Sequence, residues 1–530
     1  HGAQLAAGGR AVARARAEAV AVCFLFSFAH PAHEAAVARA LRAAGFAVSA
    51  SHEILPEFRE YERTATTVVN AYLLPVMGRY LAEVERVAGG AVRVMQSNGG
   101  ILSARRAARE PVRTILSGPA GGVLGAQYVA GLAGFGEVIS LDMGGTSTDV
   151  ALVSRALQTT CEATVAGLPV AVPMLDIHTV GAGGGSIARF DRGGALRVGP
   201  ESAGADPGPI CYGRGEQPTV TDAHLVLGRI APQGFLGGEF RLDERRTREY
   251  LARFLRRAPA ALRNPERFAQ GVLDVANATM EKAIRVISIE RGYDPRDYTL
   301  VAFGGAGGLH ACELAEALSM PRVLIPKFPG ALSALGILRA DVVRDFSQTI
   351  RLPVTSLPET RAALQRVFAG LERRGRADLR REGFPAAALR IERLLEMRYI
   401  GQAYELAVPA GGDFVTAFHR AHQRRYGYAE PGRPVEIVTV RLRVAGRTAK
   451  PELPRSRPAG RSPKAALTGE QRTYCRGRMI PAAIYDRSKL RAGHRFAGPA
   501  IVTEYSATTF VPPAWQARVD EWGNLLLVRR

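Results

Sequence analysis

Eight residues between two apolar segments have the types and order needed to bind phosphate and a divalent cation. They are Asp142 to Asp149, with the sequence DMGGTSTD. Gly144 and Gly145 permit a tight turn that leaves backbone N–H groups uncovered, and successive N–H groups form a concave anion site. Asp142 is placed to hold Mg²⁺ or to orient a water molecule. The pattern predicts a phosphate-binding hairpin, and an ordinary Gly-Gly β-hairpin is the alternative.

The hairpin is not a Walker A loop. The chain has no G-x-x-x-x-G-K-[ST] motif, and a strand pattern rather than a helix follows the glycines. A second cluster, FGGAGG at 303–308, lies between a predicted strand and a predicted helix. A glycine-rich turn that leads into a helix N-terminus suits a nucleotide, because free N–H groups and the helix dipole favour anions.

A third cluster contains Asp176 and His178, followed by the glycine run 181–185. If the segment is a strand, the two side chains share one face. They could then bind a divalent metal, act as a general base with its orienting carboxylate, or polarise a substrate carbonyl. The alternative is a core histidine that is hydrogen-bonded to a neighbouring aspartate.

The elements that must position these clusters follow from hydrophobic periodicity. The N-terminal part predicts a buried parallel strand over Ala19–Phe28, a helix ending near Gly45 and a strand over Phe46–Ser51. Further predictions are strands over Val170–Asp176 and Tyr298–Phe303, an amphipathic helix over Phe268–Arg291, a helix over Cys312–Leu318, and short alternating strands after Leu389. The proline-rich stretch Lys450–Lys464 predicts a linker. We divide the chain into domains at 1–137, 138–345 and 346–530.

The composition of the chain argues against nucleic-acid-binding, disulfide-rich and membrane-spanning classes of protein. The 530 residues carry a formal net charge of +21, but only five of the 70 basic residues are lysines and the arginines are scattered. This distribution resembles coding bias more than a nucleic-acid surface, and no nucleic-acid-binding module is recognisable. The five cysteines are dispersed without a C-x-x-C, which argues against a disulfide framework or a zinc site and favours the cytoplasm. No apolar run reaches membrane-spanning length.

The three clusters, in their order along the chain (142–149, 176–185 and 303–308), resemble the hydantoinase A/5-oxoprolinase family. The resemblance extends from about Ala19 to Arg530. The matching segments include MQSNGGILS (95–103), PVRTILSGPAGGVLGA (111–126), LDMGGTSTDVALV (141–153), DIHTVGAGGGSIA (176–188), FGGAGGLHACELAEAL (303–318) and PAIVTEYSATTFVPP (499–513). The resemblance implies an α/β chain with the actin-like fold of sugar kinases and Hsp70-type ATPases, followed by a C-terminal α+β domain.

The resemblance also implies ligands and residue roles. ATP and Mg²⁺ are the expected cofactors, with a second divalent metal as an open alternative. Asp142, Asp176 and His178 would be catalytic, Asp142 would hold Mg²⁺, and Asp176 with His178 would face substrate or the second metal. The phosphates would contact Asp142, Gly144, Gly145, Thr146, Ser147 and Thr148. The adenosine would contact Gly304, Gly305, Ala306 and Gly307. The substrate would contact Gly181, Gly183 and Gly184.

The implied activity is ATP-dependent opening of a cyclic amide such as 5-oxoproline or hydantoin, through a phosphorylated carbonyl. The implied partner is a B-type subunit in a cytoplasmic hetero-oligomer, with no nucleic acid or membrane partner. Two alternatives stay open: a subunit of an ATP-dependent ketone carboxylase, and a nucleotide-binding subunit without catalysis. The non-catalytic alternative rests on a difference from the family pattern, since relatives carry an earlier D-x-G-G-T-x-T-D hairpin that this chain lacks. The chain begins at His1 within a predicted helix, and we therefore expect a truncated form.

Overall fold

The computed structural model describes residues 11–154, 156–165 and 167–530, so the predicted helix at His1 lies outside the described residues. The chain forms two compact units, each assembled from three segments. Unit 1 comprises the described residues up to Ser117, in Thr159–Leu175 and in Ala340–Ala449. Unit 2 comprises those in Gly118–Gln158, Asp176–Arg339 and Lys450–Arg530. The contiguous domains predicted at 1–137, 138–345 and 346–530 differ from these units, because the chain passes repeatedly from one unit to the other. That division remains a prediction.

The helices and strands of the described residues are numbered in chain order. The α-helices are α1 Ala32–Ala43, α2 Ser51–Ile54, α3 Glu60–Ala88, α4 Ala104–Ala107, α5 Ser117–Leu132, α6 Val220–Val226, α7 Glu244–Leu255, α8 Pro265–Ile287, α9 Gly304–Ala317, α10 Leu332–Arg339, α11 Leu357–Arg381 and α12 Phe414–Tyr426. The strands are β1 Ala19–Val22, β2 Ala47–Ala50, β3 Arg93–Met95, β4 Ile101–Ser103, β5 Glu137–Met143, β6 Thr148–Ser154, β7 Ala156–Leu157, β8 Thr159–Thr160, β9 Ala163–Val165, β10 Leu168–Val170, β11 Met174–Leu175, β12 Ile177–Val180, β13 Ser186–Phe190, β14 Leu196–Ser202, β15 Thr299–Phe303, β16 Arg322–Ile325, β17 Val342–Pro353, β18 Leu389–Tyr399, β19 Leu406–Pro409, β20 Val435–Gly446, β21 Leu467–Cys475, β22 Arg478–Asp486, β23 Arg495–Ala497, β24 Ala500–Thr503, β25 Thr508–Val511, β26 Trp515–Val519 and β27 Leu525–Arg529.

Unit 1 contains a parallel strand pair and a larger sheet. β1 and β2 pair in parallel, with α1 between them in sequence, which confirms the predicted strand–helix–strand. The prediction that the first strand is buried is wrong for β1, in which only Val22 is buried. β1 ends at Val22 rather than Phe28, and the following residues Leu25 and Phe26 are exposed. The larger sheet has the strand order β19-β18-β20-β17-β4-β3. The prediction of short strands after Leu389 is wrong for β18 and β20, which have 11 and 12 residues.

Unit 2 is built on a mixed sheet with the order β12-β6-β5-β15-β16-β27-β26-β23. β5 pairs in antiparallel fashion with β6 and in parallel with β15, so the hairpin strands occupy part of the sheet's interior. Every residue of β15 is buried, as expected of a strand covered on both faces. The amphipathic helix predicted over Phe268–Arg291 is confirmed as α8, which buries Val272, Ala276 and Met280. A second sheet has the order β21-β22-β24-β25.

Two local predictions are wrong, one in the segment Thr159–Leu175 of unit 1 and one in unit 2. Val170–Asp176 is not one strand: β10 ends at Val170 and β11 begins at Met174, with Pro173 between them. Proline has no N–H to donate to a strand ladder, which accounts for the break. The helix predicted over Cys312–Leu318 begins instead at Gly304, so the glycine cluster forms the first turns of α9 rather than a loop before it. Residues 447–463 contain no helix or strand, in agreement with the predicted linker. Among the described residues, no helix is both long and apolar enough to cross a bilayer.

Candidate functional site

The hairpin between β5 and β6 is formed as predicted. Asp142 lies opposite Asp149 in the antiparallel register, and the next pair is Met143 with Thr148. The turn closes with a hydrogen bond of 3.2 Å from the Gly144 N–H to the Ser147 carbonyl oxygen. Gly145 and Thr146 are exposed at its tip. The turn therefore presents its backbone to solvent at the end of a rigid strand pair.

The glycine run that follows β12 packs directly on this turn. The N–H of Gly184 donates to the Gly144 carbonyl at 3.0 Å, and the N–H of Gly185 donates to the Gly145 carbonyl at 2.7 Å. A Cβ added at Gly183 would lie 2.6 Å from the Thr146 nitrogen, so only glycine fits there. The run thus fixes the hairpin from one side by contacts between the two backbones.

These contacts decide which backbone groups remain available. The two carbonyl oxygens of Gly144 and Gly145 accept hydrogen bonds from the run. The N–H groups of Gly145, Thr146 and Ser147 donate to no acceptor in the part of the chain that the structure describes. A turn whose carbonyls are occupied and whose N–H groups are free is suited to an anion. The geometry therefore agrees with phosphate binding at these residues.

Thr148 is placed differently from its predicted role. Its side chain is fully buried, and its hydroxyl donates to the Ala182 carbonyl oxygen at 2.5 Å. Thr221, which the sequence reasoning did not single out, makes a similar contact, with its hydroxyl 2.8 Å from the Gly184 carbonyl. Both threonines hold the glycine run in position. Because its hydroxyl is already used and β6 is paired on both sides at this residue, the phosphate contact of Thr148 stays a prediction.

Asp142 and Asp149 form a pair of partly buried carboxylates. Burial and the neighbouring charge of Asp149 raise the pKa of Asp142 from 3.8 to about 6. Burial also raises the pKa of Asp149, although a hydrogen bond from the Thr179 hydroxyl opposes the shift. Among the described residues, none donates a hydrogen bond to the Asp142 carboxylate. A cation would relieve both effects, and Mg²⁺ is commonly held by one or two carboxylates plus phosphate oxygens and water. The carboxylate pair therefore fits Mg²⁺.

The second glycine cluster meets the first at Asp142. Gly304 has a φ of +77°, and a Cβ there would lie 2.5 Å from Oδ1 of Asp142. A Cβ at Gly305 would lie 3.4 Å from the Ser506 carbonyl oxygen, and one at Gly307 would lie 3.5 Å from the Leu141 carbonyl oxygen. Ala306 packs on the main core of unit 2. The structure thus brings the predicted phosphate and adenosine motifs together.

Asp176 and His178 are not grouped with the hairpin carboxylates. Thr179 pairs with Asp149 across β12 and β6, so its neighbour His178 points to the opposite face of the sheet, beside the buried Val150. Asp176 precedes β12 and forms a two-pronged ion pair with Arg291, which follows α8. The described residues contain no cluster of three or more metal-binding side chains. The catalytic and metal roles of Asp176 and His178 stay predictions.

A buried histidine pair lies behind the site. His224 of α6 and His310 of α9 approach with their Nε2 atoms 2.9 Å apart, and Asn277 contacts Nδ1 of His310 at 2.6 Å. Burial lowers the pKa of both histidines, that of His310 to about 4. Both are therefore neutral at pH 7, and the fully buried His310 is a packing residue. The pair links the two helices whose first turns reach Gly184 and Asp142.

Gly181 packs against Pro200, where an added Cβ would lie 2.7 Å from the proline Cβ. Gly183 and Gly184 contact the hairpin, as described above. Their substrate contacts stay predictions. The residues missed by sequence reasoning are Asp149, Thr221 and Arg291. For Asp149 the motif itself contained the signal, because strand pairing across a short turn places it opposite Asp142; Arg291 is distant in sequence and gave none.

Comparison with known proteins gives consistent matches over almost the whole chain. A family model described as hydantoinase/oxoprolinase matches residues 63–346, and one for the C-terminal domain of the same family matches residues 355–529. The alpha subunit of caprolactamase from Pseudomonas jessenii is 36% identical over 95% of this chain and 75% of its own length. The 5-oxoprolinase 1 of Arabidopsis thaliana is 34% identical over 96% of this chain, which spans 42% of that protein.

Solved structures agree with the sequence matches. The crystal structure of the ATP-dependent caprolactamase from Pseudomonas jessenii has a TM-score of 0.86 and 34% identity, and the match covers 99% of this chain and 79% of that one. A nucleotide-free acetone carboxylase structure has a TM-score of 0.80 and 26% identity, covering 99% of this chain and 78% of that one. The mixed α/β fold is therefore shared with both.

Proposed function

Because the chain belongs to the hydantoinase/oxoprolinase family, we propose that it is the ATP-using subunit of an enzyme that opens a cyclic amide, such as 5-oxoproline, hydantoin or caprolactam. The observation that carries the proposal is the junction of the two glycine clusters at Asp142, within one compact unit. In this proposal unit 2 has an actin-like arrangement, with phosphates at the β5–β6 turn and the nucleoside at the start of α9.

Each part of the junction has a task in this proposal. The free N–H groups of Gly145, Thr146 and Ser147 bind phosphate oxygens, and Asp142 with Asp149 holds Mg²⁺. ATP supplies a phosphoryl group to the carbonyl oxygen of the cyclic amide. An amide C–N bond resists water because of resonance, and the phosphorylated carbonyl carbon is far more electrophilic. Water then adds to that carbon, the ring C–N bond breaks, and the nitrogen takes a proton and leaves as the amine. A second water cleaves the resulting acyl phosphate, so that the ring-opened amino acid, ADP and phosphate are the products.

A second protein is part of the proposal. The caprolactamase relative is an alpha subunit, and an acetone carboxylase relative from Xanthobacter autotrophicus, 30% identical, is a beta subunit. We propose that this chain likewise works in a hetero-oligomer with a B-type subunit. Ketone carboxylation is the second candidate, supported by the likeness to acetone carboxylase. The higher identity and TM-score of the caprolactamase favour the cyclic amide.

ATP turnover in the presence of candidate substrates tests the proposal. The chain is mixed with a B-type subunit and Mg·ATP, and ADP release is measured with 5-oxoproline, hydantoin, caprolactam or acetone plus bicarbonate. We expect a cyclic amide to accelerate ADP release and to be converted to its open form. Acceleration by acetone with bicarbonate alone would favour the carboxylase. Binding of Mg·ATP without acceleration by any substrate would favour a non-catalytic subunit.

His178 offers a separate test of the substrate side. Because it lies on the face of the sheet opposite Asp142 and Asp149, His178→Ala is expected to leave the Kd for Mg·ATP within about twofold. If His178 acts in ring opening, the variant loses about 10²-fold or more in product formation. Calorimetry and product analysis on the same preparation separate the two effects. Equal losses in both would identify His178 as a structural residue.

The raised pKa of Asp142 predicts a pH dependence. The folded state favours the protonated carboxyl between the ordinary pKa of 3.8 and about 6, so the contribution of Asp142 to stability is lost as the pH rises through 6. The affinity for Mg·ATP changes with pH in the opposite direction and rises with pH, because binding requires the ionised form of Asp142. We expect affinity at pH 5 to be roughly tenfold weaker than at pH 7. Asp142→Asn should bind weakly at both pH values, and a wild-type affinity independent of pH would contradict this assignment.

A further inference from the structure

A cavity of about 530 Å³ lies beside the mixed sheet of unit 2. Its volume is within the range of about 300–1,000 Å³ that is usual for small-molecule sites. Its walls come from the end of α5, from the linker residues 458–461 and from the strands β16, β23, β26 and β27. Of the described residues that line it, none belongs to the β5–β6 hairpin, the glycine run 181–185 or α9. The cavity is therefore distinct from the candidate site described above.

The floor of the cavity is one row of side chains that crosses four strands. Arg495 of β23 pairs with Arg518 of β26. Arg518 pairs in turn with Leu526 of β27, and Leu526 pairs with Leu324 of β16. Residues that lie directly opposite each other on neighbouring strands project from the same face of a sheet. The row therefore places two guanidinium groups beside two leucine side chains, and all four residues line the cavity.

The positive charge of this row is not compensated. Arg495 and Arg518 lie opposite each other on antiparallel strands, a placement that is unfavourable for two like charges. The linker brings a third guanidinium to the same cavity, that of Arg461, whose carbonyl oxygen accepts a hydrogen bond of 2.9 Å from the Arg495 N–H. In the part of the chain that the structure describes, none of these three guanidinium groups has a hydrogen bond or an ion pair.

Two carboxylates also line the cavity, and both are already occupied. Oδ1 of Asp520 accepts hydrogen bonds from the backbone N–H groups of Trp522 and Asn524 at 2.9 and 2.7 Å, and Oδ2 accepts one from the Asn524 side chain at 2.8 Å. Glu521 forms an ion pair of 2.6 Å with Arg455. The two carboxylates thus stabilise the β26–β27 turn and the linker, and they leave the three cavity arginines without a counter-charge.

The other part of the cavity is apolar. Phe135 and Trp522 line it together with Leu324 and Leu526. The indole N–H of Trp522 donates to the Leu132 carbonyl oxygen at 3.0 Å, so this ring is held in place and its one donor is satisfied. The cavity therefore combines apolar surface with guanidinium groups that are accessible and unpaired.

We propose that this cavity binds an organic anion that carries one acidic group on an apolar chain or ring. The acidic group lies between Arg495 and Arg518, where guanidinium groups can each donate two parallel hydrogen bonds and where a negative charge relieves the repulsion between them. Arg461 approaches the same group from the linker, and the apolar part lies against Leu526 and Trp522. The inference does not depend on the proposed function, since it uses neither ATP nor the hairpin.

The test uses octanoate as the probe. Calorimetry on the full chain compares it with acetate, which lacks the apolar chain, and with octan-1-ol, which lacks the charge. We expect saturable binding of octanoate, with one molecule bound per chain, and at least about tenfold weaker binding of either comparator. Binding of octanoate should also weaken as salt is added, because the arginines are exposed.

Variants locate the binding. The double variant Arg495→Gln/Arg518→Gln should bind octanoate about tenfold or more weakly. Ala133→Trp, which fills the cavity from the end of α5, should weaken binding to a similar degree without changing the charge. The matched control Arg256→Gln/Arg257→Gln removes the same charge from exposed positions that follow α7 in the same unit, and it should stay within about twofold of wild type. Circular dichroism verifies that all variants are folded.

Three results would overturn the inference. One is the absence of saturable octanoate binding to wild type. Another is an affinity of Arg495→Gln/Arg518→Gln within twofold of wild type. The third is an equal loss in the control double variant, which would mean that octanoate responds only to the net charge of the chain. Asp142→Asn should bind octanoate like wild type, so the fate of this inference and that of the proposed function are read separately.

Discussion

Replacement of Asp142 by asparagine is expected to abolish ATP turnover and to leave the chain folded. Asp142 lies at the end of β5, against Gly304 of α9 and opposite Asp149. If it holds the cation that neutralises phosphate charge, the loss should be at least about 10²–10³-fold in turnover. Asparagine has nearly the same shape, so the contact with Gly304 is kept. ADP release under saturating Mg·ATP measures the effect.

The same variant should be more stable than wild type at neutral pH. The pKa of Asp142 is raised from 3.8 to about 6, which means that its ionised form opposes folding above pH 6. Removing that charge is expected to raise the free energy of unfolding by about 3 kcal/mol at pH 7. A gain in stability with a loss of activity distinguishes a functional carboxylate from a structural one. Denaturant unfolding at pH 7 and at pH 4 checks this, since the gain should shrink at pH 4.

Asp274→Asn is the matched control for this variant. Asp274 is exposed on α8 and accepts a hydrogen bond from the Gln270 side chain at 2.8 Å. Its replacement should change neither turnover nor stability beyond about 0.5 kcal/mol, as for most surface substitutions. Turnover of Asp142→Asn within threefold of wild type would remove the basis for the phosphate site at this hairpin.

The sequence was sufficient to predict the hairpin because its signal is local. Two apolar segments on either side of a short glycine turn specify both the pairing and the register, and these in turn place Asp149 opposite Asp142. The strand–helix–strand at Ala19–Ala50 was predictable for the same reason. The contact between Gly304 and Asp142 is not local. It was not predicted, because it depends on the parallel pairing of β5 with β15, which are more than 150 residues apart in sequence.

The failures in prediction came from tertiary packing. The cluster 304–308 was expected as a glycine-rich turn before a helix, yet it forms the first turns of α9 itself. A Cβ at Gly308 would lie 2.6 Å from Oγ1 of Thr509, so the glycines allow the helix to approach β25 closely. The ion pair of Asp176 with Arg291, 115 residues away in sequence, was not foreseen, and the roles of Asp176 and His178 stay predictions.

Replacement of Gly183 by alanine is expected to impair Mg·ATP binding without any change in charge. The added Cβ would lie 2.6 Å from the Thr146 nitrogen and 2.7 Å from both the carbonyl carbon and the carbonyl oxygen of Gly145. These are backbone atoms of the turn itself, so the turn must move rather than a flexible side chain. Overpacking of this kind costs about 1–3 kcal/mol. A displacement near 1 Å at the phosphate turn should lower turnover by roughly 10²-fold.

Gly193→Ala separates this effect from a general loss of stability. Gly193 lies in the turn between β13 and β14, and the nearest atom to an added Cβ there is Oδ1 of Asp191 at 3.4 Å, an ordinary contact. We expect Gly193→Ala to keep wild-type affinity for Mg·ATP and Gly183→Ala to lose it, with circular dichroism confirming that both are folded. The carbonyls of Gly144 and Gly145 accept hydrogen bonds from Gly184 and Gly185. Displacement of the glycine run would also disturb these two hydrogen bonds and, with them, the orientation of the free N–H groups in the turn. Equal affinity in the two variants would mean that the glycine run does not set the shape of the phosphate turn.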